Sequence, residues 1–152
     1  MEEKVENAED VIVLIAEDDE GHASLIIKNL NRASAMSNFL HFKDGQEVLD
    51  FLFMGGKGPH REPGKAYLLL LDIRMPKVDG VEVLSQIKED PVLSKIPVIM
   101  LTTTDDQKEI EKCHKLGCNT YVTKPVDYYN FTDAMKKLGF FLSTVRVPRI
   151  NG

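Results

Sequence analysis

No stretch of this chain stays apolar for more than about half a dozen residues, far short of the roughly 20 that a bilayer-spanning helix requires. A membrane span is not expected, and the acidic opening MEEKVENAED is no signal peptide. Basic charge is scarce as well: 19 Lys and Arg stand against 24 Asp and Glu, for a net charge of −5. No basic face is visible, which disfavours general nucleic-acid binding because phosphate neutralisation needs one. Cysteine is limited to Cys113 and Cys118. With His114 between them they match no zinc pattern, and residues five apart do not share a helix face, so both read as free structural thiols in a reducing compartment. A cytoplasmic location is expected. His22, His41 and His60 have no partner that spacing identifies, and none is assigned chemistry.

What is present fits one globular domain with a real core: 152 residues, 43% hydrophobic and 28% charged. Strand-like runs at 11–16, 38–43, 66–71, 97–102 and 119–123 alternate with helix-like segments near 20–32, 45–54, 80–90, 106–116 and 127–146. Such alternation predicts parallel strands joined by crossover helices, hence an α/β, doubly wound, five-stranded parallel sheet. The division expected is an acidic tail at 1–9, the domain at 10–146 and a short tail at 147–152, too short for an output domain. Gly55 to Gly64, GGKGPHREPG, reads as a surface loop. On the last helix Phe131, Met135, Leu138, Leu142 and Val145 fall on one stripe, while Phe140 lies nearly opposite Phe131. Phe140 is then either a single exposed aromatic, which is common, or the mark of a partner or dimer surface on this helix, and Gly139 could mark a bend.

The strand ends carry the chemistry. LLLLDIRMPKVDG, residues 68–80, delivers Asp72 to the carboxyl end of a run buried on both faces, where parallel sheets place their sites. VIVLIA runs into Glu17, Asp18 and Asp19; PVIML runs into Thr102; NTYVT runs into Lys124 and Pro125. Each element alone has a plainer reading. Asp19 suits the cap of the helix beginning at Glu20, Lys-Pro a turn, and Thr102 an ordinary strand end. Taken together, three acids at one sheet edge need a compensating cation, because like charges raise one another's proton affinity. Oxygen ligands with free positions suit Mg²⁺, and Lys124 adds a second positive charge. The set fits Asp72 as a nucleophile toward phosphorus, with Thr102 donating a hydrogen bond to a phosphoryl oxygen.

At AEDD (16–19), LLLLDIRMPKVDG (68–80), PVIMLTT (97–103) and YVTKP (121–125) the chain resembles the receiver domain of two-component response regulators, over roughly residues 10–142. The resemblance implies a flavodoxin-like fold and phosphorylation of Asp72 by a histidine kinase or phosphotransfer protein. It implies Mg²⁺ held by Asp72, by Asp18 directly, by Glu17 through water and by the backbone carbonyl of Arg74. Thr102 and Tyr121 take the places of the switch hydroxyl and switch aromatic, and Lys124 that of the family's near-invariable lysine. The bond from Lys124 to Pro125 is usually cis in the family. Arg74 and Thr104 occupy positions that there shape the access of hydrolytic water to the acyl phosphate. The loop at 55–64, the long last helix and IKEDPVLSKIPVIMLTTTDD look like the small regulators that accompany bacterial phytochromes, many of which dimerise. A homodimer through the fourth-helix to fifth-helix face is thereby expected.

Three rivals share parts of this pattern. A phosphatase of the haloacid-dehalogenase type would carry a second acid two residues after its nucleophile, where Arg74 stands. A phosphorylation-free pseudo-receiver would lack the acid pair, Asp72 or Lys124, and all are present. A flavodoxin-like cofactor binder would have to place an anionic phosphate in an acidic pocket without a metal.

Overall fold

The computed structural model describes residues 5–6 and 10–151. Its strands are β1 (Val5–Glu6), β2 (Ile12–Ala16), β3 (Asn38–Phe42), β4 (Lys65–Leu71), β5 (Val98–Thr102), β6 (Thr120–Thr123) and β7 (Val147–Ile150). The helices are α1 (Glu20–Ala33), α2 (Gly45–Phe53), α3 (Gly80–Glu89), α4 (Gln107–Leu116) and α5 (Tyr128–Leu142). β2 pairs in parallel with β3 and β4, β4 with β5, and β5 with β6, giving the expected five-stranded parallel sheet in the order β3-β2-β4-β5-β6.

Side-chain alternation sorts each central strand between two cores. From β4, Tyr67, Leu69 and Leu71 join α2, α3 and Cys113 on one face, whereas Ala66, Leu68 and Leu70 join Ile26 and Leu30 of α1 and the Phe131–Leu142 stripe of α5 on the other. A strand that must serve both faces has no polar position, hence the unbroken apolar run. Each α-helix starts on an aspartate: Asp19, Asp44, Asp79, Asp106 and Asp127 cap the five in turn through side-chain bonds to backbone N–H groups. Such caps contribute about 1 kcal/mol each and fix where the chain turns from strand end to helix.

Three expectations are corrected. Residues 147–150 are a strand and not a tail: β7 runs antiparallel to the start of β4, pairing Lys65 with Ile150, and also pairs β1. Burial of Val147 and Ile150 holds it there. The last helix ends at Leu142 instead of 146, where the Ser143 and Thr144 hydroxyls donate back to the carbonyls of Phe140 and Phe141. The Lys124–Pro125 bond is trans, and the cis bond among the described residues is Gly58–Pro59. Apart from Val5–Glu6, the acidic stretch 1–9 lies outside the described residues.

The loop at 55–64 is anchored from beneath by Arg61, whose Nε donates to the Leu52 carbonyl at 2.7 Å, and by the Tyr67 hydroxyl, which accepts from the Glu62 N–H at 2.9 Å. No helix among the described residues is long and apolar enough to cross a membrane.

Three glycines among the described residues are required by close approach, the first being Gly45, where a Cβ would lie 1.8 Å from the Val78 carbonyl oxygen. A Cβ on Gly80 would lie 2.0 Å from the Asp72 carbonyl oxygen, so only glycine lets α3 begin directly under the strand end that presents Asp72. A Cβ on Gly139 would lie 2.6 Å from Cβ of Ala33, which marks the contact of α5 with α1 instead of a bend. Gly80→Ala and Gly139→Ala are each predicted to lose roughly 1–3 kcal/mol through overpacking, although alanine gains about 1 kcal/mol over glycine in a helix interior. Urea denaturation checks this; unchanged midpoints would deny the close contacts.

Candidate functional site

Register brings the acids together. Ala16 pairs with Leu71, so Glu17 and Asp72, each the next residue along, leave the sheet side by side. The Asp72 N–H continues that ladder to the Ala16 carbonyl at 3.1 Å, and the Glu17 N–H bonds the Phe42 carbonyl at 3.0 Å. On the other flank Thr102 pairs with Thr123, and the Lys124 N–H bonds the Thr102 carbonyl. Four strand ends thus converge where the strand order reverses around β2 and β4.

One carboxylate oxygen from each of Glu17, Asp18 and Asp72 lies within 4.8 Å of the others. Glu17 and Asp72 are buried and Asp18 is exposed. Lys124, only 3% exposed, places its Nζ against Glu17 Oε1 and 3.3 Å from Asp72 Oδ2. Burial pushes the Glu17 carboxyl up to about 7; Lys124 pulls it down while the neighbouring Asp72 pushes it further up. A single ammonium against three carboxylates leaves the cluster short of positive charge. Asp72 Oδ1 is buried and has no hydrogen-bond partner. An all-oxygen donor set with an unbonded buried oxygen fits a hard divalent cation.

The other predicted residues sit around this cluster. Thr102 is fully buried, with its Oγ1 accepting from the Thr104 N–H at 3.4 Å. Tyr121 is half-buried and donates its hydroxyl to the Thr104 carbonyl at 2.7 Å. Burial first, then the charges of Cys113, Glu109 and Asp72, push that hydroxyl up to about 12, so it stays a neutral donor. The side chain of Arg74 leaves the cluster and pairs with Glu109 of α4. Phe140 stands apart on α5, 74% exposed. Cys113 and Cys118 are free and buried; burial pushes Cys113 up to about 11 and raises Cys118 too, which keeps both thiols protonated and unreactive.

Two histidines without an expected role belong here. His22 stacks on Phe131 with ring centroids 5.7 Å apart and brings Nδ1 to 3.4 Å from Lys124 Nζ and 3.6 Å from Glu17 Oε1. As the third residue of α1 its side chain leans back toward the helix start, the one signal that could have placed it. His41 on β3 donates from Nε2 to the Glu17 backbone carbonyl at 2.6 Å, pinning the turn after β2.

Residues 13–136 match the response regulator receiver domain. The chain belongs to that family. Among solved structures, the receiver domain from Rhodospirillum rubrum superposes with a TM-score of 0.85 at 44% identity, covering 93% of this chain and 99% of that one. Response regulator Rcp1 of Synechocystis sp. is 31% identical over 141 residues, 90% of this chain and 92% of that protein. The Mn²⁺-bound form of Rcp1 superposes with a TM-score of 0.80 at 30% identity, covering 91% of this chain and 99% of that one. The phosphorylated cyanobacterial phytochrome response regulator RcpA superposes with a TM-score of 0.78 at 31% identity, covering 90% of this chain and 96% of that one. This receiver is a two-component signalling protein whose relatives include phytochrome-associated regulators.

The charge balance of the receiver site is testable without any ligand. Lys124→Met leaves two buried carboxylates with no counter-charge and is predicted to cost on the order of 3 kcal/mol in metal-free buffer. Asp72→Asn removes one like charge, keeps the Lys124–Glu17 pair, and is predicted to unfold at the wild-type urea concentration or above. The opposite order of midpoints would contradict this electrostatic reading.

Proposed function

We propose that this receiver is a phospho-accepting switch: Asp72 takes a phosphoryl group from a histidine kinase or phosphotransfer protein, with Mg²⁺ required, and passes the signal on through a protein-contact surface. The observation that carries the proposal is the unpartnered, buried Oδ1 of Asp72 beside an oxygen that Lys124 already engages. One oxygen is fixed and the other is free to attack. Oδ1 forms the new bond to phosphorus as the bond from phosphorus to the donor's nitrogen or oxygen breaks, and the electron pair leaves with the donor.

Glu17, Asp18, Asp72 and the backbone carbonyl of Arg74 would hold the Mg²⁺, which supplies neutralisation of the charge on the phosphoryl oxygens. Lys124 contributes the other positive charge, and Thr102 donates to a phosphoryl oxygen. The Mn²⁺-bound form of Rcp1 and the phosphorylated form of RcpA support this reading. A phosphoryl group adds about two negative charges and three acceptor oxygens. It draws Thr102 and Lys124 toward itself, which disturbs the Thr102–Thr104–Tyr121 chain and biases the α4–β6–α5 face between two forms. Thr104 and Arg74 flank the acyl phosphate and set how readily water removes it. The buried free thiols suit a cytoplasmic setting.

The partner surface in this proposal is α4–β6–α5, and a second copy of the chain its occupant. β6 is the last strand on that side of the parallel sheet, and Phe140, Phe141, Tyr128 and Tyr129 are all exposed on α5. Phe140→Glu is predicted to shift the protein toward monomer in sedimentation velocity; an identical profile for the two proteins would remove Phe140 from the interface.

Incubation with acetyl phosphate and Mg²⁺, followed by intact-protein mass, tests the chemistry. One phosphoryl adduct is expected, absent with chelator and absent in Asp72→Asn. An adduct retained in Asp72→Asn would move the site elsewhere.

A further inference from the structure

Arg74 and Glu109 join the loop that follows Asp72 to the first turn of α4, with Nη2 3.5 Å from Oε1. The partners are unequal. The Arg74 side chain is 68% exposed and that of Glu109 only 26%. The second oxygen of Glu109, Oε2, is buried without a hydrogen-bond partner. Arg74 is thus the basic group paired with a carboxylate whose other oxygen is unsatisfied, outside the Lys124 cluster. Glu109 also lies close enough to Tyr121 for its charge to bear on that hydroxyl.

We propose that Arg74 and Glu109 form a charge latch on α4, opened when a phosphoryl group on Asp72 takes Arg74 for itself. The inference rests on the reading of Asp72 as phosphoacceptor. The competition is uneven on chemical grounds. Glu109 offers Arg74 one oxygen at 3.5 Å, longer than the roughly 2.7–2.9 Å of a good charge-assisted hydrogen bond. A phosphoryl group offers three acceptors and about twice the charge, and guanidinium matches it bidentately. Arg74 stands two residues from Asp72, so side-chain rotation alone redirects it. Once released, Glu109 is a half-buried carboxylate with no counter-charge, and the nearest relief is movement of the first turn of α4 into solvent. Tyr121, bonded to Thr104 in the loop that leads into α4, carries that movement to the β6 edge. In this device Arg74 contacts the phosphoryl group, and Glu109 is a positioning residue that acts through Arg74.

The test compares wild type, Glu109→Gln, Arg74→Ala and the double variant. Two quantities are read: amide hydrogen exchange over 107–116 in unphosphorylated protein, and the lifetime of the phosphoryl group after acetyl phosphate is removed. Glu109→Gln is expected to speed exchange of α4 toward the rate of phosphorylated wild type and to lengthen the phosphoryl lifetime about threefold, the scale of coupling between adjacent charges. Arg74→Ala is expected to speed α4 exchange and shorten the lifetime; adding Glu109→Gln to it removes the unpaired charge and should slow α4 exchange again while leaving the lifetime unchanged. Equal lifetimes in wild type and Glu109→Gln, or a Glu109→Gln effect on the lifetime that persists without Arg74, would overturn the latch while phosphorylation at Asp72 stands. Wild-type protein that accepts no phosphoryl group would overturn the phosphoacceptor reading, and the latch with it.

Discussion

The contact of Lys124 with both Glu17 and Asp72 is the constraint around which the site is arranged. Two buried carboxylates at neighbouring strand ends would repel each other and resist desolvation, and one buried ammonium between them makes the arrangement tolerable. The compensation is incomplete. Asp18 adds a third negative charge at the rim and Oδ1 of Asp72 stays unbonded. A site held one or two positive charges short is electrostatically prepared for a cation and for the chemistry that a cation permits.

The fold delivers that geometry through register more than through loops. Parallel pairing of Ala16 with Leu71 and of Thr102 with Thr123 aligns the carboxyl ends of four strands, so the next residue on each becomes part of the site. Gly80 then lets α3 start against the backbone of Asp72, and His41 holds the turn of Glu17 from the neighbouring strand. On the other side of the site α4 buries only Cys113 fully, and its first turn is tied to the loop after Asp72 by the Arg74–Glu109 pair.

Much of this was legible in the sequence because the determinants are local. Strand-like runs ending in Glu17, Asp72, Thr102 and Lys124 announce parallel strands with polar ends, and the five strands and five helices fall within a few residues of their expected bounds. Long-range determinants were hidden. VPRI at 147–150 is too short, and too interrupted by Pro148, to read as a strand until β4 is there to receive it. Gly139 looks like a helix defect until Ala33 is seen against it, and His22, His41 and Glu109 gain meaning from partners 102, 24 and 35 positions away in the chain. The aspartate before every helix is readable in principle, since the cap is a local bond between residues two or three apart.

The central claim, that the free oxygen of Asp72 becomes an acyl phosphate, is tested most directly by reductive trapping. Borohydride reduces an aspartyl phosphate to homoserine, and peptide sequencing by mass spectrometry then gives its position. The account predicts homoserine at position 72 alone, in protein treated with phosphodonor and Mg²⁺. Homoserine in place of Asp18 or Asp19, or none at any position in protein that carries a phosphoryl group, would contradict it.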